Sequence, residues 1–308
     1  MTVRIGMIGL GDIAEKAYLP VLASHPGITL AGIMSRSEAT VERIGSRFRI
    51  EGRFTELGRL LSQDLDAVFV HSPTETHYGI VTECLKAGVH VYVDKPLSYE
   101  IKESEAMASC AEQADRLLAV GFNRRFAPLY VQAKSWLEQA GGFELCAADK
   151  QRTKRQKHSA RQTLYDDLIH MIDLVVWLCG DDGRLADYRQ AVDGEGRLRF
   201  AAGCLASEHR SAAFSMSRGA GLDLERLELH GSGRTAQVVN LERAVFADAV
   251  QGATEASFGS WDAVSYRRGF TGAIEHFLGC LHNREDCKLR ADLTLATHRL
   301  IERMLERA

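Results

Sequence analysis

The first fourteen residues constrain this chain more than any other stretch. A short apolar run, Val3-Arg4-Ile5-Gly6-Met7-Ile8, leads straight into Gly9-Leu10-Gly11-Asp12-Ile13-Ala14, and a helix-forming stretch continues to about Ser24. This is G-x-G-x-x-A set between a strand and a helix. Gly9 permits the tight turn and Gly11 lets the backbone approach a pyrophosphate. Ala14 is small enough for the helix to pack on the strand, and the pyrophosphate rests on the helix N-terminus. Gly9, Leu10, Gly11, Asp12 and Ile13 are therefore read as the phosphate-binding turn of a dinucleotide-binding domain.

Beyond this turn the chain keeps the same rhythm. A second strand, Ile28 to Met34, ends in Ser35-Arg36-Ser37, where an acidic residue for the ribose hydroxyl is common and none stands. A guanidinium flanked by two hydroxyls suits a 2'-phosphate, so NADP(H) is expected over NAD(H). The alternative is that Arg36 stacks on adenine or points into solvent. Ala67-Val68-Phe69-Val70-His71 is apolar enough for burial on both faces of a parallel sheet. It runs into Ser72-Pro73-Thr74-Glu75-Thr76-His77, a loop at the carboxyl end of a strand, where ligands bind in such sheets. His77 is expected to organise that turn. A helix from Tyr78 to Ala87 stops at Gly88, Val89 to Val93 resumes the sheet, and Asp94-Lys95-Pro96 leaves it at the rim, so that Lys95 can reach nicotinamide and substrate. Strand and helix alternate throughout, which is the mark of a doubly wound Rossmann sheet. The last strand, Leu117 to Val120, opens into Gly121-Phe122-Asn123-Arg124-Arg125-Phe126-Ala127-Pro128, the crossover to a second domain. The expected division is 1–121 and 122–308.

Composition narrows the function classes. A length of 308 residues fits two domains, and 45% hydrophobic with 26% charged residues is ordinary for a globular protein. A net charge of -3 argues against a nucleic-acid binder. The seven cysteines are scattered without a C-x-x-C pair, which reads as reduced thiols in a cytoplasmic protein with no metal site. The apolar opening is broken by Gly6, Gly9 and Gly11 before it reaches the length of a leader or span.

Four segments together, Gly9 to Ala14, Ser72 to His77, Ala87-Gly88-Val89-His90 and Asp94-Lys95-Pro96, resemble the glucose-fructose oxidoreductase/inositol dehydrogenase family (Gfo/Idh/MocA) in order and spacing. The Asp-Lys-Pro form, the Gly121 to Tyr130 segment and the length are most similar to its MviM-type members. The resemblance implies that Lys95 takes the role of the family's E-K-P lysine, with Asp94 one methylene shorter than the usual glutamate. Asp94, Lys95 and Asn123 join Ser35, Arg36, Ser37, Ser72, Pro73, Thr74 and His77 as expected cofactor residues. It also implies a second α+β domain with an open, mainly antiparallel sheet, whose exposed face mediates homodimers or homotetramers.

In the second half, Leu164 to Leu178 carries apolar helical periodicity and stops before Gly180. Asp166, His170 and Asp173 fall at i, i+4 and i+7 on one face, with Leu168, Ile172, Val175 and Val176 opposite. Asp-x-x-x-His-x-x-Asp resembles the family's second signature, although Leu168 stands where relatives often carry glycine. His170 is then the candidate base for a hydroxyl proton, Asp166 the carboxylate that orients its ring, and Lys95 the ammonium on the reacting oxygen. In some relatives the lysine carries the proton. The expected substrate is small and sugar-like, held by Lys95, Arg124, Asp166 and His170. The basic run Lys150 to Arg161 is either a solvated loop or a selector for an anionic substrate. Short runs from Leu198 to Asn240 read as antiparallel strands, and two final helices are expected to pack on the sheets. The leading reading is an NAD(P)-dependent oxidoreductase; a cofactor-binding sensor and a nicotinamide-using lyase or glycosidase compete with it.

Overall fold

The computed structural model describes residues 2–180 and 183–308. The chain divides into two compact units, one comprising the chain through Phe122 with Phe270–Leu295, the other Asn123–Gly269 with Ala296–Ala308.

The first unit is built on six strands, β1 (Val3–Ile8), β2 (Ile28–Met34), β3 (Arg53–Phe54), β4 (Ala67–Val70), β5 (His90–Val93) and β6 (Leu118–Val120). They form one parallel sheet in the order β3-β2-β1-β4-β5-β6. The order reverses between β1 and β4, so the crevice outside their carboxyl ends is the place such a sheet offers a ligand. All four residues of β4 are buried, as expected for a strand covered on both faces. The helical stretch after Gly11 is a π turn over Ala14–Tyr18 continued by Leu19–Leu22. The C-terminal part of the chain returns to this unit because helix Phe270–Gly279 brings Phe277 edge-on to Phe69 and Tyr92, at 5.4 and 5.5 Å between ring centroids. A division into two unbroken stretches does not include that return.

The second unit carries β7 (Leu145–Gln151), β8 (Arg184–Val192), β9 (Leu198–Ala206), β10 (Ser211–Ser217), β11 (Leu224–Gly231), β12 (Arg234–Val239), β13 (Arg243–Asp248) and β14 (Gly252–Ser257). Their order is β14-β13-β12-β11-β7-β10-β9-β8. Every neighbouring pair is antiparallel except β7 with β10. Alternate residues of β7 and β11 are buried under helices Pro128–Glu138 and Ile169–Cys179. In β7 the inward set is Cys146, Ala148 and Lys150, so the basic run begins inside the sheet.

The single helix expected over Leu164 to Leu178 is instead a π turn, Leu164–Leu168, continued by an α-helix, Ile169–Cys179. The Ile169 N–H bonds five residues back, to Leu164 O, which widens the turn carrying Asp166. Asp173 leaves the expected polar face: it is buried, its carboxylate bonded by Arg125 at 2.6 and 2.9 Å and by the Thr297 hydroxyl at 3.0 Å. A carboxylate inside the core needs those donors, which is why it is a structural anchor. No described helix is long and apolar enough to cross a membrane.

Candidate active site

In the first unit the glycine turn is shaped by close approach. Gly9 has φ +86°, a conformation that L side chains rarely adopt. A Cβ there would overlap the Ser72 backbone nitrogen and lie 2.5 Å from the His71 carbonyl carbon. At Gly11 a Cβ would meet nothing within 4 Å, so the backbone stands open to a ligand. Between them runs a cleft of about 690 Å³, lined by Gly9, Leu10, Gly11, Ser35, Arg36, Ser72 and Pro73, together with Thr40, Thr76 and Ile80. The glycine cradle at the switch point and the guanidinium at the end of β2 fit a dinucleotide.

The other residues assigned to the cofactor lie elsewhere. Asp12 pairs with Lys16 at 2.6 Å on the surface, and Ile13 is exposed. The Ser37 hydroxyl accepts from Thr40 N–H at 3.3 Å and so caps helix Glu38–Phe48. Thr74 opens a short 3₁₀ turn. His77 is buried, with Nδ1 3.0 Å from Pro96 O and Nε2 3.0 Å from Ser72 O. Burial pushes its pKa down, and the ring bolts the Ser72 turn to the turn that carries Lys95. Asp94 and Lys95 are half-buried at the end of β5, and Asp94 Oδ1 accepts from the Lys95 N–H at 2.9 Å.

Behind that turn sits a polar nest. The Tyr18 and Tyr92 hydroxyls are 3.2 Å apart, and a Cβ at Gly121 would stand 3.2 Å from each and 3.3 Å from Asp94 Oδ1. His71 stacks on Tyr18 with 3.9 Å between centroids, and neither ring nitrogen has a hydrogen-bond partner among the described residues. Burial, and then the neighbouring His77, push its pKa down to about 3. The ring is therefore neutral, and its 4.0 Å approach to Asp94 is not an ion pair.

The second unit builds its site from side chains. Arg124 is buried and held in a fork by Glu225, with Nε 2.5 Å from Oε1 and Nη2 2.9 Å from Oε2. Its remaining arm, Nη1, lies 2.9 Å from Nδ1 of half-buried His170. A guanidinium only donates, so Nδ1 accepts and the neutral imidazole carries its proton on Nε2. Burial opposes ionisation of Glu225, yet Arg124, with Lys150 and Arg152 beyond it, holds its pKa down at about 2. Lys150 stands opposite Glu225 across the β7–β11 ladder. Its ammonium is 2.5 Å from Asp167 Oδ1, while burial and the Arg124 charge bring its pKa down to about 7. Arg218 closes on the other oxygen of Asp167. Asp166, next in chain, is half-buried on the π turn.

Of the residues assigned from sequence, His170 and Arg124 meet directly, and Arg124 is a buried brace for the imidazole. Asn123 is spent inside its own unit, donating to Arg268 O at 2.8 Å. The basic run is largely neutralised: beyond Lys150, Arg155 reaches Asp193 at 3.3 Å and Arg161 reaches Glu302 at 2.9 Å. Glu225, Asp167 and Arg218 were missed, and Lys150 was singled out only as the start of the basic run. The available signal was period two, which puts a charge on the inward side of both β7 and β11.

A family model described as an oxidoreductase family with NAD-binding Rossmann fold matches residues 3–122, and one described as YceM-like, C-terminal domain, matches residues 128–248. YceM of Salmonella typhimurium (strain LT2) is 36% identical over 302 residues, spanning 98% of this chain and 96% of its own. The scyllo-inositol 2-dehydrogenase (NAD(+)) of Bacillus subtilis (strain 168) is 25% identical over 304 residues, 91% of this chain and 86% of its own. The crystal structure of the dehydrogenase MviM from Clostridium difficile matches with a TM-score of 0.94 at 31% identity, covering 100% of both chains. By fold, by motif and by likeness along its whole length, the chain belongs to the Gfo/Idh/MocA family of NAD-binding oxidoreductases.

Proposed function

We propose that this family member is an NAD(P)-dependent dehydrogenase or reductase that moves hydride between nicotinamide and a carbinol or carbonyl carbon of a sugar, polyol or sugar derivative. The polyol class is supported by the scyllo-inositol dehydrogenase, whose likeness runs through both halves of the chain. Gly9, Gly11, Ser72 and Pro73 would hold the dinucleotide, which when bound supplies the hydride donor or acceptor. Arg36 on the cleft wall, with no acid at the end of β2, supports NADP(H) over NAD(H). The seven free thiols support a reducing, cytoplasmic setting, and a homodimer or homotetramer is what the family resemblance implies.

The observation that carries the mechanism is the 2.9 Å contact from Arg124 to His170 Nδ1. It leaves the ring a donor at Nε2. Taking up a second proton would break that contact and set an imidazolium against a guanidinium. His170 is therefore assigned as the hydrogen-bond donor to the reacting oxygen, and Lys95 as the group that takes or gives the proton. Asp166 is assigned to a substrate hydroxyl. This refines the expectation that the imidazole is the base.

The test is a nicotinamide absorbance screen against sugars, polyols and sugar acids in both directions, with fluorescence titration of NADPH and NADH. Lys95→Met and His170→Ala should each cut turnover by roughly 10²–10⁴ while cofactor binding is retained. Near-normal turnover in either variant removes that residue from the mechanism, and tighter NADH than NADPH binding rejects the cofactor preference.

A further inference from the structure

Away from the cleft, the return segment of the first unit gathers three donor atoms. His276 and Cys280 lie one turn apart, since the Cys280 N–H bonds back to His276 O at 3.2 Å and so extends helix Phe270–Gly279 by a residue. The chain then loops through a 3₁₀ turn, Arg284–Asp286, and brings Cys287 back to the same place. One ligand atom from each of His276, Cys280 and Cys287 lies within 4.8 Å of the others, and Cys280 Sγ is 4.0 Å from either ring nitrogen of His276.

We propose that His276, Cys280 and Cys287 form a zinc(II) site that ties the end of helix Phe270–Gly279 to the following stretch of chain, which lies along the edge of the parallel sheet. Tetrahedral zinc with bonds of about 2.3 Å to sulfur and about 2.0 Å to nitrogen sets its donors about 3.5–3.8 Å apart, so a contraction of about 0.5 to 1 Å closes the site. Two thiolates and an imidazole are a donor set zinc accepts, and solvent takes the fourth position. The Nε2 lone pair of His276 now accepts from the Lys288 backbone N–H at 2.8 Å. Lys288 is exposed, so that N–H can turn to water when the ring takes the metal.

A peroxide-sensing dithiol is the poorer fit. Such thiols stand open to solvent, whereas Cys280 and Cys287 are both buried. A bound metal deprotonates a coordinating thiol outright. The location gives the site a task. Just past Cys287, Leu289 O accepts from Val120 N–H at 2.8 Å, and Arg290 bridges Ala119 in antiparallel fashion, so this segment covers the free edge of β6. Arg284 reaches Asp115 at 3.2 Å on the same side. The C-x₆-C spacing is not one by which zinc sites are recognised in sequence, which is why the cysteine pattern alone did not show it.

The test uses the full chain, reduced and stripped with chelator, then titrated with zinc(II) against a chromophoric chelator and with cobalt(II) monitored by absorbance. One zinc per chain is expected, with a thiolate-to-cobalt charge-transfer band and a rise in Tm on adding zinc. Cys280→Ser and Cys287→Ser should each weaken zinc binding by about 100-fold or more, His276→Gln by about 10-fold or more, and the control Cys110→Ser should change nothing. If a variant fails to fold, X-ray absorption on the zinc-loaded wild type decides: two sulfur and one nitrogen neighbours support the site. Absence of zinc uptake by the reduced wild type, uptake unchanged in the cysteine variants, or a cobalt spectrum without the thiolate band overturns it.

Discussion

The two units hold their functional groups by different physical means. In the first, the cleft turn is shaped by backbone: Gly9 presses against the chain at Ser72, and Gly11 presents an open peptide. In the second, the imidazole is set by buried charge, with Arg124 gripped by Glu225 and Lys150 gripped by Asp167. A backbone cradle depends on a few adjacent residues and tolerates most changes around it. A buried charge cluster depends on every member, because losing one leaves its partner uncompensated in a poorly solvated place. The first kind of site survives or fails at single glycines; the second fails as a network.

Glu225→Ala should have the largest effect, because it strands the Arg124 guanidinium. A loss of about 3–5 kcal/mol is expected by denaturant unfolding. A change below about 1 kcal/mol would mean that solvent already reaches the pair, and the contrast between the units would collapse. Gly9→Ala comes next. It demands a left-handed φ of a residue with a Cβ and drives that Cβ into the Ser72 backbone, so cofactor affinity by fluorescence titration should fall about 100-fold, roughly 2.7 kcal/mol. Wild-type affinity would show that the turn relaxes freely.

The smallest effect concerns pH. The folded pKa of His71, about 3, lies below its ordinary 6.5, so the unfolded chain binds more protons between those values. Stability from this group is complete above pH 6.5 and is lost as pH falls towards 3. His71→Phe, which keeps a ring against Tyr18, should flatten the acid limb, and between pH 6 and 4 it should lose about 2.5 kcal/mol less stability than the wild type. Parallel acid limbs for the two proteins would show that His71 does not titrate on unfolding in that window.

Legibility in the sequence divides along the same contrast. The glycine turn was legible because strand, turn and helix are consecutive and each glycine has a steric reason. The β4 run and its loop were legible for the same local reason, down to His77 as the organiser of a turn. Arg124 and Glu225 are 101 residues apart, and only the pairing of β11 with β7 brings Glu225 under the crossover. The strand β7 was hidden because its inward Lys150 looks like the start of a basic loop. Strand β14, Gly252–Ser257, is an edge strand of small and polar residues with almost no buried face to betray it. The π turn at Leu164–Leu168 shifts hydrogen bonding by one residue without altering apolar spacing enough to register in the periodicity.

The 2.9 Å contact from Arg124 fixes which imidazole nitrogen of His170 carries the proton. Long-range proton–nitrogen correlation of nitrogen-15-labelled histidines, with His170 assigned through His170→Gln, reads this directly. An Nε2–H tautomer is expected at neutral pH, with its preference lost in Arg124→Gln. An Nδ1–H ring or an imidazolium in the wild type would contradict it.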